Sequence, residues 1–106
     1  MNNDCKVTYS PQAMEDLKDI FSYLAYDLVE PGTAKNLVNK IRSEIKSLKF
    51  MPLRNRLVDW EPWNTMGMRK TSVRNFIIFY TVDANQLTVT IIRILYGGRD
   101  LSSALE

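Results

Sequence analysis

The run Phe76-Ile77-Ile78-Phe79-Tyr80 decides the fold of this chain. Five consecutive apolar residues, all β-branched or aromatic, are typical of a β-strand, and the surrounding pattern predicts a strand over residues 73–82. A strand with one solvated face alternates apolar and polar residues, and this run does not. Both faces of the strand are therefore expected to be at least partly covered, which makes it a central strand.

Three further strands are predicted, one after this run and two before it. Asp83-Ala84-Asn85-Gln86 has the composition of a hairpin turn and leads into a strand over residues 87–96, while a short basic strand at residues 68–71 comes before the central one. Near the start of the chain, Cys5, Val7 and Tyr9 alternate with polar residues, which predicts a half-buried first strand.

Two helices are predicted between the first strand and the other three. Ser10-Pro11 is a strong helix start, because the Ser hydroxyl accepts a free N–H and Pro has none to leave unpaired. Apolar residues then recur at helical spacing over residues 11–28 and again over residues 34–50. Helices of this length with a short connection are expected to pack as an antiparallel hairpin.

These elements predict an α+β fold with the order β-α-α-β-β-β in a single domain, residues 1–106. The N-terminal strand and the helical hairpin are expected to pack on one face of a small twisted antiparallel sheet. With 106 residues, 45% of them apolar, the chain is long enough to bury one core without disulfides. The longest apolar run is far too short to span a membrane, so we expect no membrane partner and a cytoplasmic location.

The absence of histidine restricts the chemistry available to this chain. Histidine is the side chain whose unperturbed pKa lies near neutrality, so its absence excludes Ser-His-Asp and Cys-His catalysis. One Cys and no His cannot supply the usual zinc ligands, and we expect neither a metal nor a cofactor. An enzyme of this composition would have to use Lys, Arg, Tyr or carboxylates.

Charge is unevenly distributed along the chain. Residues 1–30 carry two basic and six acidic groups, whereas residues 31–56 carry seven basic groups and one acidic group. Further basic residues, Arg69, Lys70, Arg74, Arg93 and Arg99, follow in the C-terminal half. Such a distribution favours a polyanionic partner such as nucleic acid, although a solvated helix face would give the same pattern.

Local sequence patterns do not determine the role of two tryptophans or the orientation of one arginine in the C-terminal half. Trp60 and Trp63 lie in an irregular loop, where we expect their indole rings to cover the edge of a small core rather than stack on a ligand. Arg93 lies on a strand in which both sets of alternating positions contain apolar residues, so periodicity does not decide which face it occupies.

Several stretches, in this order, resemble the RelE/ParE toxins of bacterial type II toxin-antitoxin pairs. They are Tyr9-Ser10-Pro11-Gln12-Ala13, Gly67-Met68-Arg69-Lys70, Asn75-Phe76-Ile77-Ile78-Phe79-Tyr80 and Ile92-Arg93-Ile94-Leu95-Tyr96-Gly97-Gly98-Arg99-Asp100. The resemblance covers nearly the whole chain. It implies a small toxin that a cognate antitoxin protein holds inactive, with no small-molecule substrate.

This superfamily contains two mechanisms. RelE-like members cleave messenger RNA on the ribosome without a metal, using basic residues and a C-terminal Tyr, whereas ParE-like members poison DNA gyrase. Carried over by resemblance, Lys70 matches one RelE basic residue and Arg99 matches the arginine after the last strand. Ile77 stands where that pattern has a phosphate-binding Arg, and no Tyr follows Arg99. Arg69, Arg74 or Tyr96 could replace the missing arginine and tyrosine only if the fold brings them into the same pocket as Lys70 and Arg99.

The ending Ile94-Leu95-Tyr96-Gly97-Gly98-Arg99-Asp100-Leu101 resembles the ParE branch, except for Tyr96 where a His is common. The resemblance therefore favours a non-enzymatic toxin that inhibits DNA gyrase, with a ribosome-dependent messenger endoribonuclease as the alternative. A third possibility is a non-toxic module that binds nucleic acid or protein. The residues expected to contact the target are Arg69, Lys70, Arg74 and Arg99.

Overall fold

The computed structural model describes residues 4–98 and residue 105. Its elements are β1 (Lys6–Tyr9), α1 (Pro11–Ser22), α2 (Pro31–Ser47), β2 (Arg69–Val73), β3 (Phe76–Asp83) and β4 (Thr88–Tyr96). A π-helical segment, Tyr23–Asp27, continues α1, and a 3₁₀ turn, Pro52–Arg54, follows α2. The predicted order of elements is confirmed. Within residues 4–98, no helix combines the length and apolarity needed to cross a membrane.

The helices differ from the predicted ones mainly where they begin and end. Ser10 caps α1 as expected, with its hydroxyl accepting a hydrogen bond from the Ala13 N–H at 3.0 Å. The second helix was expected at residues 34–50, but it begins at Pro31 and ends at Ser47. Proline suits the first helical position because its φ is already helical and it leaves no N–H unpaired, so Pro31 starts α2 rather than ending α1.

The strands form one sheet in the order β1-β4-β3-β2 within the described residues. The predicted antiparallel pairing holds for β2, β3 and β4, and β3 lies centrally between the other two. The expectation of a wholly antiparallel sheet was wrong in one detail, since β1 pairs with β4 in parallel and the sheet is mixed. Short hairpins fix the direction of consecutive strands, whereas a strand joined through two helices can pair in either direction.

Helix α1 is bonded to the part of β4 that extends beyond β1. The Ser10 hydroxyl donates to the Ile92 carbonyl at 2.7 Å, and the Asp16 carboxylate accepts from the Ile94 N–H at 2.9 Å. Asp16 also accepts from Arg93, through Nε at 2.7 Å and a terminal guanidinium nitrogen at 2.9 Å. This hydrogen bonding to Asp16 raises the pKa of Arg93 above its usual value. The guanidinium of Arg93 is therefore bound to α1.

Both faces of the sheet are covered, as the apolar run predicts. On one face, buried residues of α1 and α2 such as Leu17 and Ile41 pack against Ile78, Tyr80 and Ile91. The second face carries a smaller cluster formed by Val58, Met68, Phe79, Leu95 and Leu105. Trp60 and Trp63 pack against this second cluster, and Trp60 lies edge-to-face with Phe79 at a centroid distance of 6.4 Å. The expectation that the indoles cover a core edge is confirmed.

Tyr80 connects the helix-facing core to the loop after α2. Its ring is fully buried, its hydroxyl donates to the Pro52 carbonyl at 2.7 Å, and it accepts from the Asn55 side-chain amide at 3.0 Å. Burial raises the pKa of Tyr80 above its usual value. The folded protein therefore favours the neutral phenol.

We expect Tyr80→Phe to lower the free energy of unfolding by about 1–2 kcal/mol at neutral pH, because two hydrogen bonds to the hydroxyl are lost. Since the folded pKa of Tyr80 is raised, its contribution is complete below the unfolded pKa and is lost as the pH rises through the folded pKa. The variant should thus lose less stability than wild type above about pH 10. Urea unfolding at neutral and alkaline pH measures this, with Tyr96→Phe as control. If the Tyr80→Phe and Tyr96→Phe variants lose equal stability at alkaline pH, this prediction is contradicted.

Candidate functional site

A basic pocket of about 270 Å³ lies on the second face of the sheet, beside β2. Its lining consists of Asn55, Arg56, Lys70, Thr71, Ser72 and Ile77. The register of β2 on β3 places Lys70 opposite Phe79 and Ser72 opposite Ile77. The loop before β2 supplies Arg56, whose carbonyl accepts from the Lys70 N–H at 3.3 Å.

Lys70 is the predicted site residue that the structure places in this pocket. Its ammonium lies 5.5 Å from the ring centroid of Trp60, within the range of a cation–π contact. Trp60 in turn packs against the second core cluster, which holds the indole in place. Lys70 is thus a half-buried cation on a rigid strand and a rigid aromatic support.

Arg69 is adjacent to Lys70 in sequence, but its side chain does not line the basic pocket. Its guanidinium donates to the Asn55 carbonyl at 2.6 Å and to the Leu53 carbonyl at 3.4 Å. These bonds hold the loop that supplies Asn55 and Arg56 to the pocket. Arg69 therefore supports the site through the loop.

Arg74 lies outside the pocket, at the exposed turn between β2 and β3. Its φ of 53° is in the left-handed region, which an arginine adopts only when the turn requires it. The adjacent Asn75 carbonyl accepts from the Gly97 N–H at 2.7 Å, so the end of β4 meets this turn. Arg99 follows two residues after Gly97 and lies outside the described residues.

Tyr96 lies on the other face of the sheet from Lys70. It pairs with Phe76 across β3 and β4, at a ring-centroid distance of 5.8 Å. Phe76 packs against the helix-facing core, whereas Ile77 packs against the second cluster. Tyr96 accordingly lines a separate groove of about 660 Å³, together with Asp19, Ile20 and Tyr23.

Gly98 makes room for the ring of Tyr96 in this position. A Cβ on Gly98 would lie 2.5 Å from Cε2 of that ring, which is shorter than real contacts allow. Gly98 therefore leaves the space that the Tyr96 ring occupies.

The described pocket can bind an anion but offers few groups for proton transfer. Arg56 and Lys70 supply positive charge and hydrogen-bond donors, and Asn55 and the hydroxyls add neutral polar groups. Its described lining contains neither a carboxylate nor a phenol. Among residues 4–98 and 105, no three Asp, Glu, Cys or His side chains are grouped as metal ligands would be.

Arg56 and Asn55 are site residues that the sequence pattern did not identify. Both lie in a segment without periodicity, which joins β2 through the antiparallel bridge between Leu57 and Arg69. The basic charge of residues 31–56 included Arg56 but did not show that it would lie beside Lys70.

Three solved toxin–antitoxin structures share this fold. A chromosomal ParDE TA system from P. aeruginosa superposes with a TM-score of 0.72 at 20% identity, covering 90% of this chain and 98% of that one. The RelBE2 toxin–antitoxin complex from Mycobacterium tuberculosis gives 0.62 at 18% identity, covering 88% of this chain and 91% of that one. The archaeal RelE–RelB complex from Pyrococcus horikoshii OT3 gives 0.63 at 10% identity, covering 92% and 99%.

A family model gives the assignment that structural likeness alone does not. No curated protein sequence matches the chain. The model described as the ParE toxin of the type II toxin-antitoxin system, parDE, matches residues 7–101, which is most of the chain and includes α1, α2 and all the strands except the first residue of β1. This chain therefore belongs to the ParE toxin family of type II toxin–antitoxin systems.

Proposed function

We propose that this toxin arrests growth by inhibiting DNA gyrase and does not cleave messenger RNA. The observation that supports the proposal is the separation of Lys70 from Tyr96 on opposite faces of the sheet. Ile77, where a phosphate-binding Arg would stand in the RelE pattern, adds an apolar wall to the Lys70 pocket.

RNA cleavage by the 2′-hydroxyl requires a base, an acid for the leaving oxygen and stabilisation of the phosphate charge. Each such group typically contributes about 10²-fold or more to the rate. The Lys70 pocket supplies positive charge, but the phenol that could transfer a proton lies in the other groove. Inhibition by binding requires only a rigid, complementary surface. Lys70, Arg74 and Arg99 are the proposed target contacts, and Arg69 positions the loop beside Lys70.

The topology of a reporter plasmid in cells tests the target. Gyrase introduces negative supercoils, so induction of the toxin should leave the plasmid relaxed within one generation, whereas messenger cleavage leaves it supercoiled. An uninduced culture is the control. Growth arrest with a fully supercoiled plasmid would contradict gyrase as the target, and the absence of arrest would favour a non-toxic binding module.

The proposed antitoxin contacts lie along α1 and the segment after it. Large apolar side chains are exposed here, notably Met14, Tyr23, Tyr26 and Val29, with Tyr26 73% exposed. Large exposed apolar side chains are typical of protein interaction surfaces. The three neighbouring structures are toxin–antitoxin systems or complexes, which supports a protein partner of the same class for this chain.

We expect Tyr23→Ser/Tyr26→Ser to weaken binding of the cognate antitoxin by at least about ten-fold, because exposed aromatic anchors dominate interfaces. The matched control is Met51→Ser/Leu53→Ser, which removes two equally exposed apolar side chains elsewhere. Copurification and titration calorimetry measure the difference. Weaker binding by the control alone would place the antitoxin on the loop after α2.

A further inference from the structure

The exposed surface of α2 consists of cations and neutral hydrogen-bonding groups. Between Lys35 and Lys46, every exposed residue is Lys, Arg, Asn or Ser. These residues are Lys35, Asn36, Asn39, Lys40, Arg42, Ser43 and Lys46. Neither an acidic nor a large apolar side chain is exposed in this stretch, which we call the α2 cationic face.

Helical geometry arranges this face as two adjacent rows. At 100° per residue, Lys35, Asn39, Arg42 and Lys46 lie along one line, and Asn36, Lys40 and Ser43 lie beside it. At 1.5 Å per residue the face is about 16 Å long. Because Leu37, Ile41 and Ile45 are buried in the core, the helix holds these groups in a fixed array.

The charges of this face are not neutralised within the described part of the chain. Among the described residues, the ion pairs within 4 Å are Arg54–Glu44 and Arg93–Asp16, and neither pair includes a cation of the α2 cationic face. Glu44, the acid on this helix, is half-buried and accepts from the Thr71 hydroxyl at 2.8 Å. The acid therefore faces the sheet, away from the cationic face.

We propose that the α2 cationic face binds the phosphate backbone of duplex DNA without regard to base sequence. Lys, Arg, Asn and Ser are the side chains that commonly contact DNA phosphates, and each of them can donate a hydrogen bond. Duplex DNA carries one phosphate charge per about 1.7 Å of its axis, counting both strands, so a rigid face of about 16 Å with four cations can contact several phosphates.

A protein partner fits this face less well than DNA does. The cores of protein interfaces are depleted in Lys and Ser, and their affinity depends on aromatic and other large anchors. The α2 cationic face itself has none, although Lys35, Asn39 and Arg42 border a groove whose exposed apolar residues, Met14 and Tyr26, come from α1 and the segment after it. Glu15 and Asp19 are exposed acids on α1, and Glu15 lines a groove together with Lys35 and Arg42, so it lowers the positive potential at that edge of the face.

The test measures binding of the purified full-length chain to a fluorescent 20-base-pair duplex between 50 and 200 mM salt. Four neutralised phosphates predict a loss of affinity of about 100-fold over this range. The variant Arg42→Gln/Lys46→Gln lacks two of the four cations. Its affinity should therefore fall only about ten-fold between 50 and 200 mM salt, and its affinity at 50 mM should be lower than that of wild type. The assay contains no gyrase, so its outcome is independent of the proposed function.

The matched control is Met66→Glu/Gln86→Glu, which changes the net charge by the same amount at two exposed positions outside α2. It should retain the wild-type dependence on salt. Melting curves verify that both variants are folded, as expected for exposed substitutions. Absence of binding by wild type at 50 mM salt, or equal loss of affinity in the two variants, would overturn the proposal.

Discussion

Asp16→Ala is expected to lower the free energy of unfolding by about 2–4 kcal/mol, because it breaks a largely buried charged network. The Asp16 side chain is 12% exposed and that of Arg93 is 25% exposed. Removal of the carboxylate leaves the Arg93 guanidinium and the Ile94 N–H without this acceptor at the junction of α1 and β4. Urea unfolding followed by circular dichroism measures the change.

Asp19→Ala is the control, since Asp19 is exposed on the same helix and its loss should change stability by less than about 0.5 kcal/mol. Asp16→Asn keeps the shape but loses the charge, and it should fall between alanine and wild type. Equal stability of the Asp16→Ala and Asp19→Ala variants would show that α1 is held on the sheet by apolar packing alone.

Lys70→Ala is expected to raise the toxin concentration required for half-inhibition of gyrase at least ten-fold, a loss of about 1.4 kcal/mol of binding free energy. The reason is its position, as a cation in a concave pocket supported by Trp60. Supercoiling of relaxed plasmid by purified gyrase measures the effect. The proposed site predicts a smaller loss for Arg74→Ala, because Arg74 lies at an exposed turn.

Lys6→Ala provides the control for loss of one positive charge, because Lys6 is exposed on β1 and distant in the sheet from β2. It should leave inhibition unchanged. If Lys70→Ala inhibits as strongly as wild type while its fold is intact, the target surface lies elsewhere on the toxin.

Local patterns in the sequence predict most of this fold. The apolar run of β3 identifies the central strand, and Ser10-Pro11 marks the start of α1, because short-range chemistry determines both. The parallel pairing of β1 with β4 and the start of α2 at Pro31 were not predicted. The first depends on contacts between distant segments, and the second on a proline that can equally end one helix or begin the next.

The candidate site could be predicted only in part, for the same reason. Lys70 was identified through its strand and its resemblance to a family pattern, but its neighbour Arg56 comes from an aperiodic loop. Arg69 was expected at the target surface, and its bonds to loop carbonyls depend on tertiary structure. The position of Arg93 required the structure as well, because its partner Asp16 is on a distant helix.

The most direct test of gyrase as the target applies one preparation of the toxin to two assays. One follows supercoiling by purified gyrase, and the other follows cleavage of messenger RNA on translating ribosomes. We expect inhibition of supercoiling that the antitoxin reverses, with messenger RNA left intact at the same toxin concentration. Cleavage of messenger RNA in the ribosomal A site that is abolished by Lys70→Ala, with gyrase unaffected, would contradict the account and make Lys70 a catalytic residue.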